Sequence, residues 1–367
     1  MQTKQIIGLL VALVVIVGAI AYLENGKAGP GNSTHPATDV VSAIPQTAAS
    51  LQSRADRIAS KSALYPRAKE IAEPSGFVNT GGQPITLSQY VGKKVILLDI
   101  MTYSCINCIR TYPYLVSWYK KYEDKGFVVI GIQTPEFDFE KNIDNVKAAM
   151  EKYGITFPVV LDNDYGTWTA YKNLYWPHKY LIDIDGFVRY DHVGEGGYAE
   201  TEGQIQELLK ERADVLGLGD AFKASIDMTV TAGTTEEGAY NETPETYIGS
   251  ARRDPDNALV LKGDWNSQSE YAENISVPAS IVYPITAKHV YLVASADTPI
   301  LVKVTIDGKP LGSEAGADVV EKDGVDTFTV QESRLYDIYS GDIFGSHTIE
   351  VTPQKAGLKA FTFTFGS

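Results

Sequence analysis

Val95-Ile96-Leu97-Leu98-Asp99-Ile100-Met101-Thr102-Tyr103-Ser104-Cys105-Ile106-Asn107-Cys108 is the stretch that decides how this chain reads. Residues 95–100 follow Gly92-Lys93-Lys94 and are apolar almost throughout, the pattern of a short strand buried on both faces. Ile109, Tyr112, Val116 and Tyr119 then recur at helical spacing, which predicts a helix over 109–121. Cys105 and Cys108 therefore stand where a central strand turns into a helix. They are the only two cysteines in 367 residues, so they cannot belong to a wider disulfide framework. A helix N-terminus offers free N–H groups and partial positive charge, both of which favour a thiolate. In such positions a thiol pKa falls from about 8.5 to between ~3.5 and ~7.5. Cys105 is expected to be the exposed, acidic sulfur and Cys108 its buried partner, one attacking a disulfide and the other resolving the mixed disulfide.

Other uses of the pair fit less well. Haem attachment needs a histidine directly after the second cysteine, where Ile109 stands. A structural zinc site needs four ligands, and there is no second cysteine pair. A copper site using Cys105, Cys108 and one of the five histidines stays open. A purely structural disulfide would close so short a loop that it would stabilise little.

Residues 102–115, from Thr102-Tyr103-Ser104-Cys105 through Cys108 to Pro113-Tyr114-Leu115, resemble the thioredoxin-like domain of DipZ proteins, within the TlpA and ResA group of extracytoplasmic thiol–disulfide oxidoreductases. Asp99, six residues before Cys105, matches the buried acid that assists proton transfer there, and Pro113 matches a helix-kinking proline. Pro177, in Tyr175-Trp176-Pro177-His178, matches the cis-proline loop facing the cysteines. The resemblance implies Cys105, Cys108 and Asp99 as catalytic residues. It implies Pro177, Trp176, Tyr103 and Asn107 as substrate-facing. Ile100-Met101 departs from the Phe-Trp usual in relatives. Arg110 is a candidate stabiliser of the thiolate, His178 a candidate substrate contact, and Glu136 and Asp138 candidate tuning residues.

The chain divides by composition. Residues 6–23 carry no charge and follow Lys4, so 1–23 reads as a membrane anchor or signal with the body exported. Residues 24–66 are rich in Ala, Ser, Thr, Gly and Pro, a flexible tether whose later part has helical spacing. Residues 67–217 alternate strand and helix as an α/β domain. There 77–87 reads as a hairpin, and Asp185-Gly186 as the turn of a second one. After a linker at 218–227, residues 228–367 show short alternating runs separated by turns such as Asp307-Gly308 and Asp323-Gly324, which predicts an all-β sandwich with its own core.

This last region resembles the C-terminal domain of DipZ proteins in Gly263-Asp264-Trp265, Ser333-Arg334-Leu335-Tyr336-Asp337 and Phe361-Thr362-Phe363-Thr364-Phe365-Gly366. The resemblance implies a jelly-roll like a carbohydrate-binding module. Trp265, Tyr271, Tyr336 and Tyr339 are candidates for a sugar-stacking platform, and a glycan or protein is the implied ligand.

A net charge of −14 argues against nucleic acid and anionic membrane surfaces as partners. Dithiol chemistry needs no cofactor and no metal. The expectation is a membrane-anchored extracytoplasmic (periplasmic or cell-surface) thiol–disulfide oxidoreductase acting on exported protein disulfides, with electrons from a membrane donor. Two alternatives are a cell-wall or glycan-binding module with a thioredoxin-like spacer, and a thiol peroxidase. Against the peroxidase, Thr102-Tyr103-Ser104 lacks the usual proline and threonine ahead of a peroxidatic cysteine.

Overall fold

The computed structural model describes residues 54–231 and 243–366. Residues 6–23 and most of the tether lie outside the described residues. Among the described ones, no helix is long and apolar enough to cross a membrane.

Gln52–Ser367 forms one compact unit built on two sheets. The first contains β1 (Gly76–Val78), β2 (Val95–Met101), β3 (Phe127–Gln133), β4 (Val159–Leu161), β5 (His178–Ile182) and β6 (Val188–Val193), in the order β1-β4-β3-β2-β5-β6. Its centre is parallel (β2 with β3, β3 with β4), and β5, β6 and β1 run antiparallel to their neighbours. The helices are α1 (Arg54–Ser62), α2 (Ile106–Tyr122), α3 (Ile143–Lys152), α4 (Gly166–Ala170), α5 (Tyr198–Val215) and α6 (Gly219–Ala224).

Every residue of β2 is buried, and the two-residue period of a strand sorts them. Leu97 and Met101 pack with Leu115, Trp118 and Tyr122 of α2 and Ile205, Leu208 and Leu209 of α5. Ile96, Leu98 and Ile100 pack on the other face with Ile85, Leu87 and Tyr180. Asp99 shares the parity of Leu97 and Met101, so the strand itself aims this carboxylate towards the face that carries α2.

The hairpin expected at 77–87 does not form. Asn79, Gly81 and Gly82 all have positive φ and turn the chain, while β1 pairs with β4. The turn at Asp185-Gly186 does join β5 and β6, with Gly186 at φ 89. Asp183, Asp185 and Glu211 would suit a cation by geometry. Lys61 of α1 fills the cluster, 2.7 Å from Asp183 and 2.8 Å from Asp185, with Arg57 and Arg189 at its rim. The tether's helix is thus tied to the sheet by ion pairs.

The second region is all-β, with β7 (Thr246–Tyr247), β8 (Val260–Lys262), β9 (Trp265–Ser267), β10 (Ala272–Asn274), β11 (Ser280–Ser295), β12 (Ile300–Ile306), β13 (Val320–Lys322), β14 (Val325–Val330), β15 (Arg334–Pro353) and β16 (Lys359–Gly366). The sandwich expectation needs amending. The strands form one continuous antiparallel network, β13-β14-β12-β15-β11-β16-β10-β9, with β7 on β16 and β8 on β11. Continuity comes from two strands longer than the short runs in the sequence suggest. Residues 281–287 of β11 pair with 345–351 of β15, and residues 289–294 pair with 334–340 after a register shift. Shifts of this kind bend a strand, so one ladder can wrap its own apolar core.

The two regions share a small apolar seam. Ile106 and Phe137 from the first pack with Val293, Leu335 and Phe361 from the second, with Phe139, Tyr247, Tyr271 and Tyr291 around them. Fully burying one such side chain contributes roughly 1.5–3 kcal/mol, so this seam is a substantial attachment.

Candidate active site

Strand β2 ends at Met101, and four residues later Cys105 is the N-cap of α2, with φ −79 and ψ 121. Cys105 makes no side-chain cap hydrogen bond, which leaves the first N–H groups of the helix without one. Both cysteines are free thiols, Cys105 half-buried and Cys108 wholly buried. Sγ of Cys105 lies 3.9 Å from the carbonyl oxygen of Trp176, and the Trp176–Pro177 bond is cis. The structure therefore brings Trp176 and Pro177 to the nucleophile's side. Leu174 and Tyr175 just before them are exposed apolar surface.

Burial pushes the Cys108 thiol well above its ordinary range, reinforced by the neighbouring Cys105 and by Asp99. Asp99 is fully buried, and neither of its oxygens has a hydrogen-bond partner among the described residues. Burial raises its pKa to about 7, and Lys179 opposes that rise. Lys179 stands directly opposite Asp99 in the β2–β5 ladder, is also fully buried, and donates to the Gly194 carbonyl at 2.8 Å. Burial lowers its own pKa, with Asp99 acting the other way. A carboxyl that titrates near neutrality beside a buried thiol is fitted to exchange a proton with it.

Other expected site residues are placed differently. Tyr103 is buried under the β region, donating to the Ser333 carbonyl at 3.1 Å, so it cannot face a substrate. Asn107 is half-exposed, and its carbonyl accepts from Thr111 Oγ1 at 2.8 Å. Arg110 is paired with Glu195 at 3.1 Å and lies over the Tyr291 ring, its charge already engaged. His178 is buried between Asn173, Tyr180 and Asp191, a structural position rather than a substrate contact. Glu136 accepts from Tyr247 and Arg252, and the Asp138 N–H donates to Glu270, all three partners in the β region. The sugar platform is not assembled either, because Tyr336 and Tyr339 are core residues and Tyr271 packs on Phe361. The three-ligand cluster found among the described residues, Asp183, Asp185 and Glu211, contains neither cysteine.

Two residues escape the sequence reading altogether. Lys179 looks like an ordinary strand cation until the β2–β5 register puts it against Asp99. Glu140 lies in a 3-10 turn, Asp138–Lys141, which turns it inward towards Ser104. The alternation of aromatic and acidic residues in Phe137-Asp138-Phe139-Glu140 was the available signal.

Comparison with known proteins places both regions. Residues 67–191 match the AhpC/TSA family and residues 229–366 the family described as thioredoxin like C-terminal domain. Protein DipZ of Mycobacterium bovis is 36% identical over 313 residues, which is 80% of this chain and 42% of that protein. The chain thus spans less than half the length of that relative. NHL repeat-containing protein 2 of Gallus gallus is 37% identical over 128 residues, 35% of this chain and 18% of that protein. Thiol-disulfide oxidoreductase ResA of Bacillus thuringiensis is 33% identical over 141 residues, 38% of this chain and 76% of that protein. With a likeness that takes in most of ResA and, for DipZ, runs through both regions of this chain, the chain belongs to the thioredoxin-like thiol–disulfide oxidoreductase family of ResA and DipZ.

Proposed function

We propose that this chain is a membrane-anchored, extracytoplasmic oxidoreductase that reduces disulfides of exported proteins through Cys105 and Cys108. The observation that carries the reading is the layering of three groups. Cys105 is half-exposed at the N-cap of α2, Cys108 is wholly buried one turn on, and Asp99 is buried without a hydrogen-bond partner.

The Cys105 thiolate attacks one sulfur of a substrate disulfide. The other substrate sulfur leaves as a thiolate and takes a proton from solvent. Cys108 gives its proton to the Asp99 carboxylate, and its sulfur attacks Sγ of Cys105. The bond between Cys105 and the substrate breaks, the second substrate thiolate leaves, and the enzyme holds a Cys105–Cys108 disulfide. Two electrons have passed to the substrate, and a membrane-borne thiol donor returns them. The high proton affinity of Cys108 keeps it a thiol until Cys105 is engaged. The uncharged run at 6–23 and the acidic net charge support an anchored, exported body. Protease accessibility in intact cells tests that placement, and a body protected inside the cytoplasm would overturn it.

The reduction potential of the cysteine pair tests the chemistry. A value near −270 mV supports a reductase, one near −120 mV makes the chain an oxidant of exported thiols, and failure to form the disulfide reversibly ends the reading. The AhpC/TSA match over residues 67–191 favours one rival, peroxide reduction. Hydroperoxide consumption as fast as disulfide exchange would decide for it.

A further inference from the structure

The segment 135–141 is bonded in two directions. Inward, Oε1 of Glu140 accepts from Ser104 Oγ at 2.6 Å and from Ser104 N–H at 3.3 Å. Its Oε2 accepts from the N–H groups of Glu136 at 2.5 Å and Phe137 at 3.0 Å. Outward, Glu136 accepts from Tyr247 at 2.7 Å and Arg252 at 2.8 Å, and the Asp138 N–H donates to Glu270 at 3.0 Å. The rings of Phe137 and Phe139 lie 5.2 and 4.9 Å from that of Phe361. Ser104 immediately precedes the nucleophile, and its other neighbour, Tyr103, is itself held by Ser333 of the β region.

We propose that Glu140 is a positioning residue for thiol–disulfide exchange, through which the docked β region fixes the turn at 102–105 and hence the Cys105 sulfur at the helix N-terminus. The inference rests on the thiol–disulfide reading and adds a task for the second region within it. The chemistry of the contact is specific. The four hydrogen bonds above all reach the Glu140 side chain from donors, and the Thr102 hydroxyl is a further one, so both oxygens must accept. A fully buried carboxyl meets that demand and a carboxamide does not. Glutamine has the same shape but must turn an NH2 group onto either Ser104 or the N–H groups of Glu136 and Phe137. Either choice frees one end of the strap without opening a cavity.

The test uses the full chain with its cysteines reduced. Three quantities are read: the rate of Cys105 alkylation by iodoacetamide at pH 8.5, the reduction potential, and kcat and KM for a model protein disulfide. Glu140→Gln is expected to slow alkylation and lower kcat by about tenfold, one charge-assisted hydrogen bond's worth, with KM within about twofold. The potential should move to a more negative value, because the thiolate form loses stabilisation. Arg252→Ala with Glu270→Ala, which cuts two of the three outward hydrogen bonds and leaves that of Tyr247, should slow alkylation by about threefold. Combined with Glu140→Gln, that pair should add nothing further, since both act along one strap. Should Glu140→Gln fail to fold, Ser104→Ala removes only the Oγ donor and should shift alkylation in the same direction. A folded Glu140→Gln chain, or in its place Ser104→Ala, with the parent's alkylation rate and potential would overturn the assignment of Glu140. Unchanged alkylation in the Arg252/Glu270 variant would overturn the link to the β region. If the parent chain exchanges no disulfides at all, the functional reading fails, and the alkylation rates still decide the positioning claim.

Discussion

Two buried carboxyls flank the catalytic turn, and both are pushed to about 7 by burial, yet their surroundings are opposite. Asp99 has no hydrogen-bond partner among the described residues and one buried cation across the ladder. Glu140 has four donors, and the charge that acts on it is the like charge of Glu136. A carboxyl with nothing to release can take or give a proton without breaking structure, whereas one that holds four donors cannot. On the mechanism proposed above, the difference suits Asp99 to proton traffic and Glu140 to geometry.

The division supposes that Cys108 is the thiol whose proton Asp99 receives, so the largest effect belongs there. Cys108→Ser should abolish turnover and leave Cys105 trapped in a mixed disulfide with its substrate, visible by mass as a stable adduct. Continued turnover by that variant would end the two-cysteine mechanism. Next, Asp99→Asn should slow resolution of the mixed disulfide by about a hundredfold, the lower range for a positioned general base. In the parent, the resolution rate should fall as pH drops through about 7, where Asp99 becomes protonated, and the variant should lack that limb. A variant that keeps the limb would assign it to another group.

Asp99 should also leave a mark on stability. Below the ordinary carboxyl pKa, both folded and unfolded chains hold its proton. Between that value and about 7, the unfolded chain has released the proton and the folded chain keeps it, so the folded state binds more protons and stability falls as pH rises. Above about 7 the full cost is present, on the order of 4 kcal/mol. Asp99→Asn removes the titration. Its stability relative to the parent should therefore be more favourable at pH 8.5 than at pH 4, by that order, in urea unfolding of the reduced protein. Equal differences at the two pH values would mean that Asp99 is ionised at little cost.

How far the site was legible in the sequence follows the same physics. Strand β2, helix α2 and the place of Cys105 between them are written in local periodicity, and Asp99 is aimed by strand parity alone. What no local pattern carries is register. Lys179 meets Asp99 only because β5 pairs with β2 at that offset, and Glu140 meets Ser104 only because a 3-10 turn breaks the alternation before it. Tyr103 was misplaced for a related reason. A tyrosine beside a cysteine pair looks substrate-facing until a second region docks over it. The short runs of the β region were read correctly as strands, but the long continuous strands β11 and β15 depend on pairing partners far along the chain.

The smallest expected effect sharpens the Asp99 half of the contrast. Lys179→Met keeps the length of the side chain and removes its charge, at the cost of one hydrogen bond to the Gly194 carbonyl. Lys179 is the group that holds the Asp99 pKa down against burial, so without it the carboxyl should titrate higher than about 7. The acid limb of the resolution rate should move to higher pH, by at least about one unit, since charges about 4 Å apart interact by about 1 kcal/mol even at the dielectric of water. The plateau rate above the limb should change little, because the proton acceptor itself is intact. An unmoved limb would show that Lys179 is neutral in the reduced enzyme, and the unpartnered carboxyl would then owe its position on the pH scale to burial alone.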